Sequence, residues 1–113
     1  MKNFIQPGDV IDVPAPYDVA SGAGALVGSL FGVANKAALS GASVPLSLVG
    51  VFDLVKAGSQ AWTVGVRVYW DDTAKACTTT ASTNKLIGVA VAAVGSGAGE
   101  TIGRVLLTGA FTI

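Results

Sequence analysis

Histidine does not occur in this chain, and cysteine occurs once, as Cys77. The first absence removes the commonest general base and metal ligand. No Ser/His/Asp or Cys/His arrangement can form within one copy, and no Cys/His/carboxylate cluster has the spacing of a zinc site. The single cysteine excludes an intramolecular disulfide and reads as a small buried strand side chain. Charge is also scarce, at 12% of residues against about 25% in an average soluble domain. The 7 basic and 7 acidic residues cancel and are scattered, so no basic patch points to a nucleic-acid partner. The opening MKNFIQPGDV has no apolar core of a signal peptide, which predicts a protein made in the cytoplasm and used without Sec export.

The glycine-rich stretches exclude more than they suggest. Residues 19–35 carry no charge, but the stretch is at the short end of the range for a membrane span, about 17–25 residues. Gly22, Gly24, Gly28 and Gly32 would each cost a helix about 1 kcal/mol relative to alanine. Gly28 and Gly32 form a lone GxxxG in a chain of 15 glycines. A hairpin is expected here, with its turn at 21–24 and a strand from Ala25 through Ala34, and no membrane partner. Neither 21–24 nor Gly95–Gly99 continues into Gly-Lys-Ser/Thr, so no phosphate-binding P-loop is present. Asp71-Asp72 is the only adjacent acidic pair. Neighbours on a strand point to opposite faces, so the pair reads as a turn, not a metal site. No cofactor is expected.

What the chain does contain is alternation. Trp62, Val64, Val66, Val68 and Trp70 fall on one parity, and Thr63, Gly65, Arg67, Tyr69 and Asp71 on the other. Period 2 is the mark of a strand with one buried face. The two indoles, each able to bury roughly 150–250 Å², put this strand at the centre of the core. Val44–Lys56 alternates likewise and is expected to form a second long strand, paired antiparallel with the first across the turn at 57–60. Its second parity, Pro45, Ser47, Val49, Val51, Asp53 and Val55, is still apolar, so one face is expected against the core and the other against a neighbouring subunit. Lys56 and Arg67 are candidates to pair with Asp53 or Asp71.

Shorter strands are expected at Val10–Val13, where Pro14 and Pro16 end it or confine it to an edge, at Cys77–Thr80, at Leu86–Val94 and at Thr101–Thr108. In the last, Val105 and Leu107 oppose Arg104 and Leu106. The expectation is an all-β fold, a compact small β-barrel or β-sandwich of about seven short, mainly antiparallel strands with little helix. Residues 1–7 read as an N-terminal arm and 8–113 as a single β-domain. The candidate core is Leu46, Leu48, Phe52, Trp62, Val66, Val68 and Trp70. With 51% hydrophobic residues, the surplus apolar surface is expected in an interface, hence a homo-oligomer.

Several segments in order resemble the small phage capsid cement, or head-decoration, proteins. They are PGDVIDVPAP, VASGAGALVGSLFGVA, GVFDLVKA, GVRVYWDDTAKACT and IGVAVAAV followed by RVLL. The most specific are Gly28–Ala34, Gly50–Lys56 and Val68–Asp71. Val55 stands where the family often has proline. The resemblance implies a non-enzymatic virion protein that binds the outside of the major capsid protein lattice, commonly as a homotrimer near local three-fold axes. Some relatives carry a recombinase label, which the missing P-loop lysine argues against. Phe4, Ile5, Phe31, Phe111 and Ile113 are the candidate contacts with capsid or a neighbouring subunit. The alternative is another virion β-module, such as a fibre, spike or tail-associated binding protein.

Overall fold

Short runs of alternating side chains, interrupted by glycines and Asp-rich turns, favour strands over helices along most of this chain. The structure is a computed structural model that describes residues 8–108. Among the described residues there are nine strands and no helix: β1 (Val10–Pro14), β2 (Gly24–Val27), β3 (Leu30–Ala34), β4 (Ser43–Ser47), β5 (Val51–Val55), β6 (Arg67–Asp71), β7 (Ala76–Thr78), β8 (Lys85–Ala90) and β9 (Ile102–Leu107). They form two antiparallel sheets, one ordered β1-β4-β3-β2 and the other β5-β9-β8-β6-β7. The all-β expectation holds, with two strands more than the seven or so foreseen.

The first sheet is built from the N-terminal half. β1 lies at its edge, where Pro14 at its end costs no interior ladder bond. The hairpin expected in the glycine-rich stretch is there, but its turn is at Gly28-Ser29, between Val27 and Leu30. Gly28 has φ +60°, the left-handed conformation that glycine adopts without a steric cost. β3 faces two ways. Phe31 and Val33 point toward the second sheet, while Ala34 joins Ala25, Val44, Leu46 and Leu48 in a separate cluster closed over by Ala15 and Val19.

The second sheet holds the larger core. Leu54, Trp62, Val68, Trp70, Cys77, Ile87, Val105 and Leu107 are buried together, with Phe52 and Val66 partly buried against them. Its two outer strands approach at one end. Lys56, just after β5, forms a single parallel bridge with Cys77, and Ala57 N–H donates to Cys77 O at 2.8 Å. One bridge curls the sheet without closing it, so the described residues do not make a closed barrel.

Two expected strands are corrected by this topology. Val44–Lys56 is not one strand. It breaks after Ser47, and β4 and β5 belong to different sheets. Gly50, with φ +121°, is the residue that redirects the chain, because backbone of that kind is open mainly to glycine. Trp62–Asp71 is not one strand either. Trp62 makes an isolated bridge with Val94, the chain turns at Val64-Gly65 with Val64 exposed, and only Arg67–Asp71 is strand. The expected pairing of the two segments does not form. β5 pairs with β9, and β6 with β8 and β7.

Candidate interaction surface

The junction between the sheets is held by four side chains. Trp70, buried at the end of β6, donates its Nε1–H to Asp72 Oδ1 at 3.0 Å. Tyr17, from the loop after β1, donates its hydroxyl to the same oxygen at 3.2 Å and accepts the Leu26 N–H at 3.3 Å. Lys75 lies 3.5 Å from Asp72 and 4.2 Å from the Tyr17 ring centroid. Asp72 thus gathers groups from both sheets. Burial, with the Asp72 charge adding to it, pushes the Tyr17 phenol up to about 12. Phe31 packs on Trp70 across the same seam, with ring centroids 5.0 Å apart. Beside it lies a cleft of about 470 Å³ lined by Val19, Ala23, Asp53, Val55, Trp70 and Ile102, among others.

Asp71 has the turn role expected of it. Its Oδ1 accepts the N–H of Thr73 at 3.0 Å and of Ala74 at 3.2 Å. The expected ion pairs are corrected. Asp53 is taken by Arg104. Lys56 is only 2% exposed, with its ammonium donating to the carbonyls of Ala57 at 2.7 Å and Glu100 at 2.9 Å and lying 5.6 Å from the Trp62 ring. Cys77 is fully buried, and burial pushes its thiol up to about 12. That suits an inert core side chain, not a nucleophile.

The outward face of β5 and β9 is different in kind. The register places Val51 beside Leu106, Asp53 beside Arg104 and Val55 beside Ile102. The four aliphatic side chains are 51%, 42%, 55% and 54% exposed in that order. Between the two apolar rows, Arg104 Nε donates to Asp53 Oδ1 at 2.9 Å and Nη2 to Oδ2 at 3.2 Å. These bonds lower the Asp53 carboxyl and raise the Arg104 guanidinium from their ordinary values. Aliphatic side chains grouped on an outward sheet face mark a surface made to be covered.

Of the candidate contact residues, Phe4, Ile5, Phe111 and Ile113 lie outside the described residues. Phe31 is corrected: at 4% exposure, held against Trp70, it belongs to the core. Leu46, Leu48, Trp62, Val68 and Trp70 are buried, and Phe52 and Val66 partly so. The β5 half of the outward face, Val51, Asp53 and Val55, is the second parity of Val44–Lys56 that the sequence marks for cover by a neighbouring subunit; the sequence carries no such mark for the β9 half, Ile102, Arg104 and Leu106.

Among the described residues no group of three or more His, Cys, Asp or Glu could hold a metal, and no helix is long and apolar enough to cross a membrane. Among the described residues, Asp71 serves a turn, Tyr17, Asp72 and Lys75 the sheet junction, Asp53 and Arg104 a surface ion pair, and Lys56 a buried bond to two carbonyls. The fold is of the all-β class, two antiparallel sheets with an aliphatic face turned outward. More specifically, the chain belongs to the phage cement protein family, which matches residues 5–107. It is a virion structural protein with a capsid-stabilising role, and not an enzyme. A search of the curated proteins finds no match, and a search of the solved structures finds none.

Proposed function

We propose that the chain binds the outer surface of a phage head as a homo-oligomer, a trimer near local three-fold axes, and cements the shell. In this reading residues 8–113 form one β-domain. Residues 1–7 form an arm whose Phe4 and Ile5 contact the major capsid protein or a neighbouring subunit, as do Phe111 and Ile113 at the other terminus. The chain is made in the host cytoplasm and needs neither nucleic acid nor membrane. The observation that carries the reading is the exposed aliphatic face of β5 and β9 on a chain of the cement family. A protein that binds the assembled lattice and not its dissociated subunits stabilises the lattice by mass action. A trimer gripping several capsid subunits multiplies weak single contacts.

The test is quantitative mass spectrometry of purified virions. A copy number close to that of the major capsid protein is expected. A ratio of a few per cent would move the chain to a fibre, spike or tail, and absence from the particle would end the virion reading.

A further inference from the structure

We propose that the outward face of β5 and β9 is the seat of a second copy of this chain, docked about a two-fold axis that runs along the strands. The argument is one of self-complementarity. The face has two columns, Val51, Asp53, Val55 on β5 and Leu106, Arg104, Ile102 on β9, matched row by row. A rotation of 180° about an axis parallel to the strands keeps each row at its own height and exchanges the columns. Val51 then lies over the partner's Leu106, Val55 over the partner's Ile102, and Asp53 over the partner's Arg104, each contact occurring twice. Apolar side chains meet apolar side chains, and every charge meets its opposite. An axis across the strands would instead set apolar rows together but Asp53 over Asp53, so the charges choose between the two packings. Sheets stacked face to face lie about 10 Å apart with aligned strands, the spacing at which such rows interdigitate.

The ion pair makes this occupant better suited than an arbitrary apolar partner. Covering Asp53 and Arg104 removes water from both, and a purely apolar surface returns nothing for it. The same face on a second copy supplies the opposite charges in the right places without any further requirement. The composition agrees: with 12% charged residues, a central ion pair on an otherwise aliphatic face is a register mark, because like charges brought together would reject wrong alignments. The inference rests on the cement reading in one respect. A two-fold contact would tie copies in neighbouring trimers to each other, adding a protein–protein link above the shell.

The experiment is sedimentation equilibrium of the full chain beside Asp53→Arg and Arg104→Asp, alone and mixed. Each variant alone places four like charges at the centre of the pair, and its dissociation constant should rise about tenfold or more. The equimolar mixture should recover the native mass, because the new arginine column of one variant then faces the aspartate column of the other. The ion pair is half-exposed, so circular dichroism should show both variants folded. Ile102→Lys, which spares the pair, should also lower the mass. A native chain of unpaired mass, or single variants that keep the native mass, would overturn the two-fold contact. Unchanged mass with lost capsid occupancy would assign the face to the capsid protein instead. Neither result touches the virion copy number, so the cement reading stands or falls separately.

Discussion

A buried indole must give its N–H to an acceptor or forfeit a hydrogen bond. Both tryptophans solve this with a residue two places away. Trp62 donates to Gln60 Oε1 at 3.1 Å, and Trp70 to Asp72 Oδ1 at 3.0 Å. Gln60 also accepts the Thr79 N–H and donates to Thr78. Residues two apart share a strand face, so these acceptors were legible in principle: a carboxylate or amide two positions from a core tryptophan. Read as turn residues alone, Gln60 and Asp72 lose half their meaning. Tyr17 was not legible, since nothing local joins it to a turn 55 residues on. Asp72→Ala strands the Trp70 N–H and releases Tyr17, and should lower stability by about 1–3 kcal/mol, read as a shift in the urea midpoint. Asp72→Asn keeps an acceptor oxygen and should cost less. Equal losses for the two would mean that the Lys75 ion pair, not the indole bond, matters at this position.

Element by element, alternation located strands well and partners poorly. β9 buries Val105 and Leu107 and exposes Arg104 and Leu106, as its parity requires. The break in Val44–Lys56 was harder to see, because the pattern runs through Leu48-Val49 unchanged and only Gly50 betrays it. Which sheet each half joins depends on β1 and β9, far away in sequence, and no local pattern encodes that. Gly103 shows how tightly the two halves of a strand's role are coupled. It sits between two outward residues of the exposed face, yet a Cβ there would collide with the Trp62 ring. Gly103→Ala should therefore destabilise the fold by about 1–3 kcal/mol through overpacking, in thermal or urea unfolding, with Trp62 fluorescence altered. An equal loss from Gly99→Ala, where a Cβ meets nothing, would show that backbone freedom and not the indole sets the cost.

At the scale of the molecule, composition announced an interface, and the apolar second parity of Val44–Lys56 pointed to its β5 half but not to the β9 half beside it. A surplus of apolar residues fits any face, and only the β5–β9 register concentrates four of them around one ion pair. The alkaline pH dependence of folding is a whole-molecule property to which one buried and one half-buried group contribute. The Cys77 thiol is raised from its ordinary 9.0 to about 12 by burial in the second sheet. The Tyr17 phenol is raised from 10.0 to about 12 at the junction, where desolvation outweighs the Leu26 hydrogen bond and the Asp72 charge adds to it. Both groups carry their charge when deprotonated, so the folded state keeps protons that the unfolded chain releases first. Their contribution is complete below about 9 and declines as pH rises from there toward 12. The urea midpoint should accordingly be flat above neutrality, fall through that window, and begin its fall later, nearer 10, in Cys77→Ala. Tyrosinate absorbance should rise together with unfolding for Tyr17. A midpoint that stayed constant across the window would mean that thiol and phenol ionise as readily in the folded chain as in the unfolded one.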